Sequence, residues 1–314
     1  MKLLITRPMP DPVLAAARAR FDVTARESTL PLDAAELRAA LTDYDVVLPT
    51  LGDLFKAEVF ADVAAPRAKL LANFGVGFNH IDIQAAAAHG IAVTNTPGAV
   101  TDATADVALT LMLMTARRAG EGERMLRKGQ WQGWHPTQLL GAAVSGKTVG
   151  IIGMGRIGRA IAQRCHHGFG MRVIYHNRSA TDAGVPAQQL SLAQVLQADF
   201  VVIAVPGSPA TRHLINAAAL AQMARHGFLI NISRGDVVDE AALANALQTG
   251  QIAGAGLDVY EFEPQITADL LGLENVTLLP HLGTAVLETR TAMGMMAVAN
   301  LIAFLDGQAL PNPV

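Results

Sequence analysis

The chain has 314 residues, 51% of them hydrophobic and 16% charged, with a formal net charge of −3. That length exceeds what one core usually covers, so two domains are expected, and the composition excludes a disordered chain. With no basic block, nucleic-acid binding has no support.

The chain starts directly on a β-type run, Lys2–Thr6, so no signal peptide is read. The most continuous apolar helical stretch, roughly Val107 to Ala116, falls short of the about 20 residues that span a bilayer. The single cysteine, Cys165, has no internal disulfide partner. These features predict a cytoplasmic protein that does not engage membranes.

Further β-type runs follow at Asp22–Ala25, Val46–Pro49, Leu70–Phe74 and Ile91–Thr94, with helical stretches such as Pro12–Arg20 and Asp33–Thr42 between them. This alternation predicts a doubly wound parallel sheet. A long helix is expected from Thr101 to about Arg118, with Gly98 and Gly141 as flexible joints. A second series of strands then begins: Thr148–Ile152, Arg172–His176, Phe200–Val205, Phe228–Ile232, Gly256–Val259 and Val276–Leu279. A last helix runs from beyond Gly283 to about Leu305, with no sheet of the second series left to join. It is expected to return to the first domain. The reading is therefore α/β, with residues 100–284 inserted as one domain into a discontinuous domain of residues 1–99 and 285–314, the two crossings forming a hinge.

Thr148–Ile152 leads into Gly153-Met-Gly155-Arg156-Ile157-Gly158. An apolar strand, G-x-G-x-x-G and an amphipathic run form the entry to a dinucleotide-binding, Rossmann-type unit. Gly153 would permit the tight turn, Gly155 the approach of the pyrophosphate, and Gly158 close packing of helix on strand. The free N–H groups of the helix start, at Arg156 and Ile157, would face the phosphates. NAD sites usually place an acid about 20 residues on, yet no Asp or Glu occurs from Gly153 through Thr181. Asn177 stands in that place, followed by Arg178 and Ser179. Arg and Ser can bind a 2′-phosphate that an acid would repel, so NADP(H) is the expected cofactor, with NAD(H) still open. Pro206 and Thr211, after the strand from Phe200, are expected to flank the adenosine half.

Sites in open α/β sheets lie beyond the carboxyl ends of strands. Three such ends carry chemistry: Asn231-Ile232-Ser233-Arg234-Gly, Asp258-Val-Tyr-Glu-Phe-Glu263-Pro, and Pro280-His281-Leu-Gly. Arg234, Glu263 and His281 can therefore converge, with Ile232 and Ser233 lining the cofactor side. No set of histidines has convincing metal-ligand spacing, so no catalytic metal is expected.

These segments, with Asn95-Thr-Pro-Gly-Ala-Val-Thr-Asp-Ala-Thr-Ala-Asp, the late glycine motif and the closing Gly307…Pro-Asn-Pro-Val, resemble the D-isomer-specific 2-hydroxyacid dehydrogenase family over nearly the whole chain. Its glyoxylate and hydroxypyruvate reductase branch is the nearest in look. The resemblance implies a Rossmann cofactor domain inserted into a flavodoxin-like substrate domain. It implies reduction of a small 2-ketoacid to the D-2-hydroxyacid. Arg234 would hold the substrate carboxylate and carbonyl oxygen, His281 would be the general acid, and Glu263 would orient its imidazole. Asp258 would face the nicotinamide carboxamide. Asn73-Phe-Gly75-Val76-Gly77-Phe78 is similar to the family's substrate loop, where the N–H groups of Val76 and Gly77 could form a small anion nest, bordered by Leu51 and Gly52. A homodimer through the cofactor domain is implied, with Val107–Met114 and the segment of Trp131 and Trp134 at the interface; alternatively the two tryptophans cover the hinge. Two other readings stay open: an NAD-dependent D-2-hydroxyacid dehydrogenase with a larger substrate, and a non-enzymatic, nucleotide-sensing corepressor.

Overall fold

The computed structural model describes residues 1–314. Two compact units result: Met1–Val100 with Ala285–Val314, and Thr101–Thr284.

The first unit contains β1 (Lys2–Ile5), β2 (Asp22–Ala25), β3 (Val46–Leu48), β4 (Leu70–Ala72) and β5 (Ala92–Thr94), all parallel in the order β2-β1-β3-β4-β5. β3 and β4 are buried along their whole length, as parallel strands covered on both faces must be. Side-chain alternation splits the core in two. Leu4, Val47 and Leu71 face one cluster with Leu41, Phe55 and Phe60. Leu3, Ile5, Val46 and Leu48 face the other, which is closed by Ala297, Val298 and Leu301 of the last helix, Leu287–Leu305. A Cβ at Gly294 would lie 2.5 Å from Val13 Cγ2, so glycine there lets this helix press on Asp11–Arg18. The helix Ala34–Asp43 opens with a reciprocal cap between Asp33 and Glu36, a device of about 1 kcal/mol.

The second unit holds β6 (Thr148–Ile152), β7 (Arg172–His176), β8 (Ala187–Gln189), β9 (Phe200–Ile203), β10 (Phe228–Asn231), β11 (Gly254–Leu257) and β12 (Val276–Leu278). They form one parallel sheet in the order β12-β11-β10-β9-β6-β7-β8. Winding leaves β6 in one direction through β7 and β8, then resumes on its other side at β9. The strand order thus reverses between β6 and β9, the place where open sheets form a ligand crevice. Both expected doubly wound parallel sheets are therefore present.

Two elements fall outside the expected runs, and two stretches named above show how they pack. The edge strand β8 reads Ala-Gln-Gln, partly or fully exposed, and so gives no apolar signal. A helix at Ala119–Arg127 lies in what reads as a connecting segment; none of its residues is buried. Gly141 packs against the end of the long helix, since a Cβ there would lie 2.2 Å from the Ala116 carbonyl oxygen. Within Val107–Met114, Ala108, Leu109, Leu111 and Met112 are buried in the unit's own core, while Val107, Thr110, Leu113 and Met114 keep part of their surface open. Close contact of that helix with the sheet is set by Gly256, where a Cβ would lie 2.9 Å from Leu111 Cβ. No helix is long and apolar enough to cross a membrane.

Candidate active site

The glycine loop follows β6 directly. Gly153 takes φ +99°, and a Cβ on it would lie 2.8 Å from the Ala204 carbonyl and Val205 nitrogen at the end of β9. A Cβ on Gly158 would lie 2.1 Å from the Gly153 carbonyl oxygen, so the helix Arg156–Gln163 sits hard on the turn. Overpacking of this kind costs about 1–3 kcal/mol. Gly155 is different: it is the N-cap of that helix, has no side-chain cap, and faces open space. The first N–H groups of the helix, including those of Arg156 and Ile157, are orphans by geometry. Backbone donors beside empty space at a helix N-terminus are the arrangement that receives an anion, so the loop fits a pyrophosphate.

At the end of β7, Asn177 bonds locally: its Nδ2 donates to the Ser179 carbonyl at 2.9 Å, and its Oδ1 accepts from Met154 N at 3.4 Å. Arg178 and Ser179 are exposed, and Arg178 forms no ion pair. Beyond β9, the Thr211 hydroxyl donates to the Pro206 carbonyl at 2.9 Å and accepts from Ser208 N at 2.9 Å, which closes that loop on itself. Gly207 lies against the stem of Arg234, 2.7 Å from Arg234 Cγ were a Cβ present.

Arg234 follows β10. Ile232 and Ser233 are buried. The Ser233 hydroxyl donates to Val205 O, Ser233 N donates to Asn231 Oδ1 at 3.1 Å, and Asn231 Nδ2 donates to Arg234 O at 2.9 Å. Arg234 Nη1 donates to Ser233 O at 2.7 Å. Burial lowers the Arg234 pKa; the charges of Glu263 and Asp236 oppose that shift.

His281 lies past β12 at φ +53°. A left-handed histidine costs on the order of 1–3 kcal/mol and needs to be held. Asp258, at the end of β11 and 1% exposed, holds it. Its Oδ1 accepts from Leu282 N at 2.6 Å, its Oδ2 from Gly283 N at 2.8 Å, and its carbonyl from His281 N at 3.0 Å. Burial raises the Asp258 carboxyl, while these two N–H groups and His281 pull it down. The side chain thus grips the His281 loop, a task that its motif position does not reveal.

His281 Nδ1 bonds Glu263 Oε2 at 2.9 Å, which leaves Nε2 as the ring nitrogen for proton transfer. Glu263 Oε1 accepts from Tyr260 N at 3.0 Å. Burial pushes the Glu263 carboxyl up, but the His281 bond and charge, the Tyr260 N–H and Arg234 outweigh it, so its pKa lies below the ordinary value. Tyr260 donates its hydroxyl to Leu279 O at 2.8 Å, and burial raises its pKa. The second unit therefore brings together a guanidinium, a carboxylate and an imidazole at the ends of β10, β11 and β12. A cation that can hold a carboxylate beside an oriented proton donor suits addition to a polarised carbonyl.

In the first unit, Asn73 is fully buried and its Nδ2 donates to the carbonyls of Gly75 and Gly77, each at 3.1 Å. Asn95 Nδ2 donates to Val76 O at 2.9 Å, and Thr96 N to Gly75 O at 3.0 Å. All three carbonyls are thus turned to protein donors, while the N–H groups of Val76 and Gly77 donate to no backbone carbonyl. Leu51 and Gly52, the latter at φ +98°, sit in a turn fixed by the fully buried Asp53, whose Oδ2 accepts from Thr50 N at 2.8 Å.

Comparison with known proteins agrees with this chemistry. Residues 109–283 match the family model "D-isomer specific 2-hydroxyacid dehydrogenase, NAD binding domain". The glyoxylate reductase of Thermococcus kodakarensis is 43% identical over 321 aligned positions, covering 100% of this chain and 96% of the relative. A solved protein from Thermus thermophilus superposes with a TM-score of 0.93 at 42% identity, with complete coverage of both chains. The NADPH-dependent glyoxylate/hydroxypyruvate reductase of Sinorhizobium meliloti, solved with NADP and malonate, gives 0.88 at 37% identity, covering 100% of this chain and 96% of that one. The chain belongs to the D-isomer-specific 2-hydroxyacid dehydrogenase family, within the branch of the glyoxylate and hydroxypyruvate reductases, and is an oxidoreductase with an NAD(P)-binding domain.

Proposed function

We propose that the protein reduces a small 2-ketoacid, glyoxylate or hydroxypyruvate, to the D-2-hydroxyacid with NADPH. The observation that carries this is the Glu263–His281 pair at 2.9 Å in the same group of strand ends as Arg234. When bound, the nicotinamide supplies a hydride to the carbonyl carbon. Arg234 holds the substrate carboxylate and polarises the carbonyl oxygen. His281 gives that oxygen a proton from Nε2, and Glu263 fixes the tautomer and balances the charge. In the first unit, the Val76 and Gly77 N–H groups, which donate to no backbone carbonyl, would suit a carboxylate, and Leu51 and Gly52 would be the substrate-side residues of the neighbouring turn.

Gly153, Gly155, Gly158 and the helix start at Arg156 and Ile157 would hold the pyrophosphate. Pro206 and Thr211 would flank the adenosine half, and Ile232 and Ser233 the nicotinamide half. Asp258 keeps lone pairs for the carboxamide beside its two backbone bonds. The preference for NADPH rests on Asn177 in place of an acid and on Arg178, unpaired and exposed one residue on. Initial rates with glyoxylate, hydroxypyruvate and larger 2-ketoacids, each with NADPH and NADH, test the reading. The expected result is a clear preference for NADPH with the small ketoacids. Equal or better kcat/KM with NADH would overturn the cofactor assignment, and no turnover of any 2-ketoacid would overturn the enzyme reading in favour of a nucleotide sensor.

A homodimer through the second unit is part of the same proposal. Trp131 and Trp134 are 51% and 78% exposed, and Leu126 and Leu140 are also open. Tryptophan is enriched at interfaces, and Trp131, although its indole N–H donates to Gln138 Oε1 at 3.3 Å, keeps half of its surface open.

A further inference from the structure

Glu240 is a buried carboxylate that the proposed chemistry does not use. It begins the helix Glu240–Gln248 and is 2% exposed. Burying a carboxylate is costly unless its oxygens are bonded, and both are. Oε1 accepts from Glu261 N at 2.6 Å, and Oε2 accepts from the Thr267 hydroxyl at 2.5 Å. The two donors bracket the segment that carries Glu263. Between them the chain turns tightly, Gln265 N donating to Phe262 O at 2.8 Å. We infer that Glu240 is a positioning residue, clamping the segment 261–267 at both ends so that Glu263 meets His281.

Three other contacts show that this segment is seated rather than merely tethered. A Cβ at Gly235 would lie 1.8 Å from the Tyr260 carbonyl carbon and 2.2 Å from Glu261 N, so the residue next to Arg234 abuts the start of the segment. The Glu261 side chain points the other way, accepting from Arg212 Nη2 at 2.9 Å and pairing with His213 Nε2 at 2.7 Å. The Tyr260 hydroxyl reaches Leu279 O, two residues before His281. Glu240 is the one group that holds both ends. Without it the 2.9 Å bond between Glu263 and His281 loses its fixed base, while the glycine loop, built from β6 and β9, is untouched.

The inference rests on the reading of Glu263 and His281 as the proton-transfer pair, so its test includes a readout independent of turnover. In protein labelled with [15N]histidine, the His281 ring nitrogens, assigned by their loss in His281→Asn, report whether Nδ1 carries the bonded proton. Glu240→Ala is expected to move those shifts toward a free imidazole. It is expected to cut kcat by about 10- to 100-fold, the range that misplacement by about 1 Å produces, with KM for the nucleotide changed by less than about twofold. Glu240→Gln is expected to restore both readouts. Its amide oxygen can accept from Glu261 N, and its NH2 can donate to the Thr267 hydroxyl, which both gives and takes hydrogen bonds. Thr267→Val, which leaves Glu240 in place, carries the same test if Glu240→Ala does not fold, and is expected to give a partial spectral shift. Wild-type His281 shifts in Glu240→Ala, or in Thr267→Val where that variant stands in, overturn the clamp. So does a Glu240→Gln protein as impaired as Glu240→Ala. A wild-type protein without 2-ketoacid reductase activity would instead remove the functional reading, and the nitrogen spectrum would still decide the clamp.

Discussion

Glu263 is pulled two ways. Burial favours its neutral form, and His281, Tyr260 N–H and Arg234 favour the anion; the anion wins, and the pKa falls below its ordinary 4.5. A depressed carboxylate adds stability that is present above its unfolded pKa and is lost as pH falls through the folded one. Glu263→Gln is therefore expected to be less stable than wild type near neutral pH, with the gap narrowing once pH drops below 4.5. Urea unfolding of both proteins at about pH 7 and at about pH 4 checks this; a gap that widens toward acid would contradict the assigned direction. Asp258 teaches a different lesson at the same scale. Its motif position suggests the cofactor, and its two oxygens also hold Leu282 N and Gly283 N and so keep His281 in a left-handed conformation. A sequence shows that an acid stands beside a strand end; it does not show which backbone groups the folded chain will bring to it.

At the scale of elements, legibility followed side-chain pattern, which even the partly exposed β2 carries. The strands β6, β7 and β2 coincide with their β-type runs because apolar and β-branched residues recur along them. The exposed β8, Ala-Gln-Gln, left no pattern to read. Neither did the helix Ala119–Arg127, none of whose residues is fully buried and whose adjacent Met125 and Leu126 are too few to set an apolar period. The glycine turn was readable because each glycine answers a local steric demand that spacing alone encodes. Gly141 was not, because the Ala116 carbonyl that excludes its Cβ arrives from a different part of the chain. The same distinction hides Glu240. Its neighbour Asp239 announces a helix start, accepting from Ala242 N at 3.0 Å, whereas the partners of Glu240 lie 21 and 27 residues on. Local chemistry can be read from the sequence, and convergence of distant segments has to be seen.

At the scale of the whole molecule, the late glycine motif is understood through the division of the chain. The unit of residues 101–284 is built from one uninterrupted segment, and the other unit is closed by a helix that the chain makes only at its end. The exposed Leu126, Trp131, Trp134 and Leu140 give this molecule its expected assembly: light scattering at micromolar concentration should report a dimer mass, and Trp134→Glu should shift it toward monomer. A monomeric wild-type protein would contradict that proposal. The account as a whole turns on His281 as the proton donor. Steady-state turnover of glyoxylate with NADPH by His281→Ala tests it most directly, alongside the nucleotide dissociation constant. The expected result is a kcat lower by about 10²- to 10⁴-fold with nucleotide binding unchanged, and a His281→Ala enzyme with near wild-type kcat would contradict it.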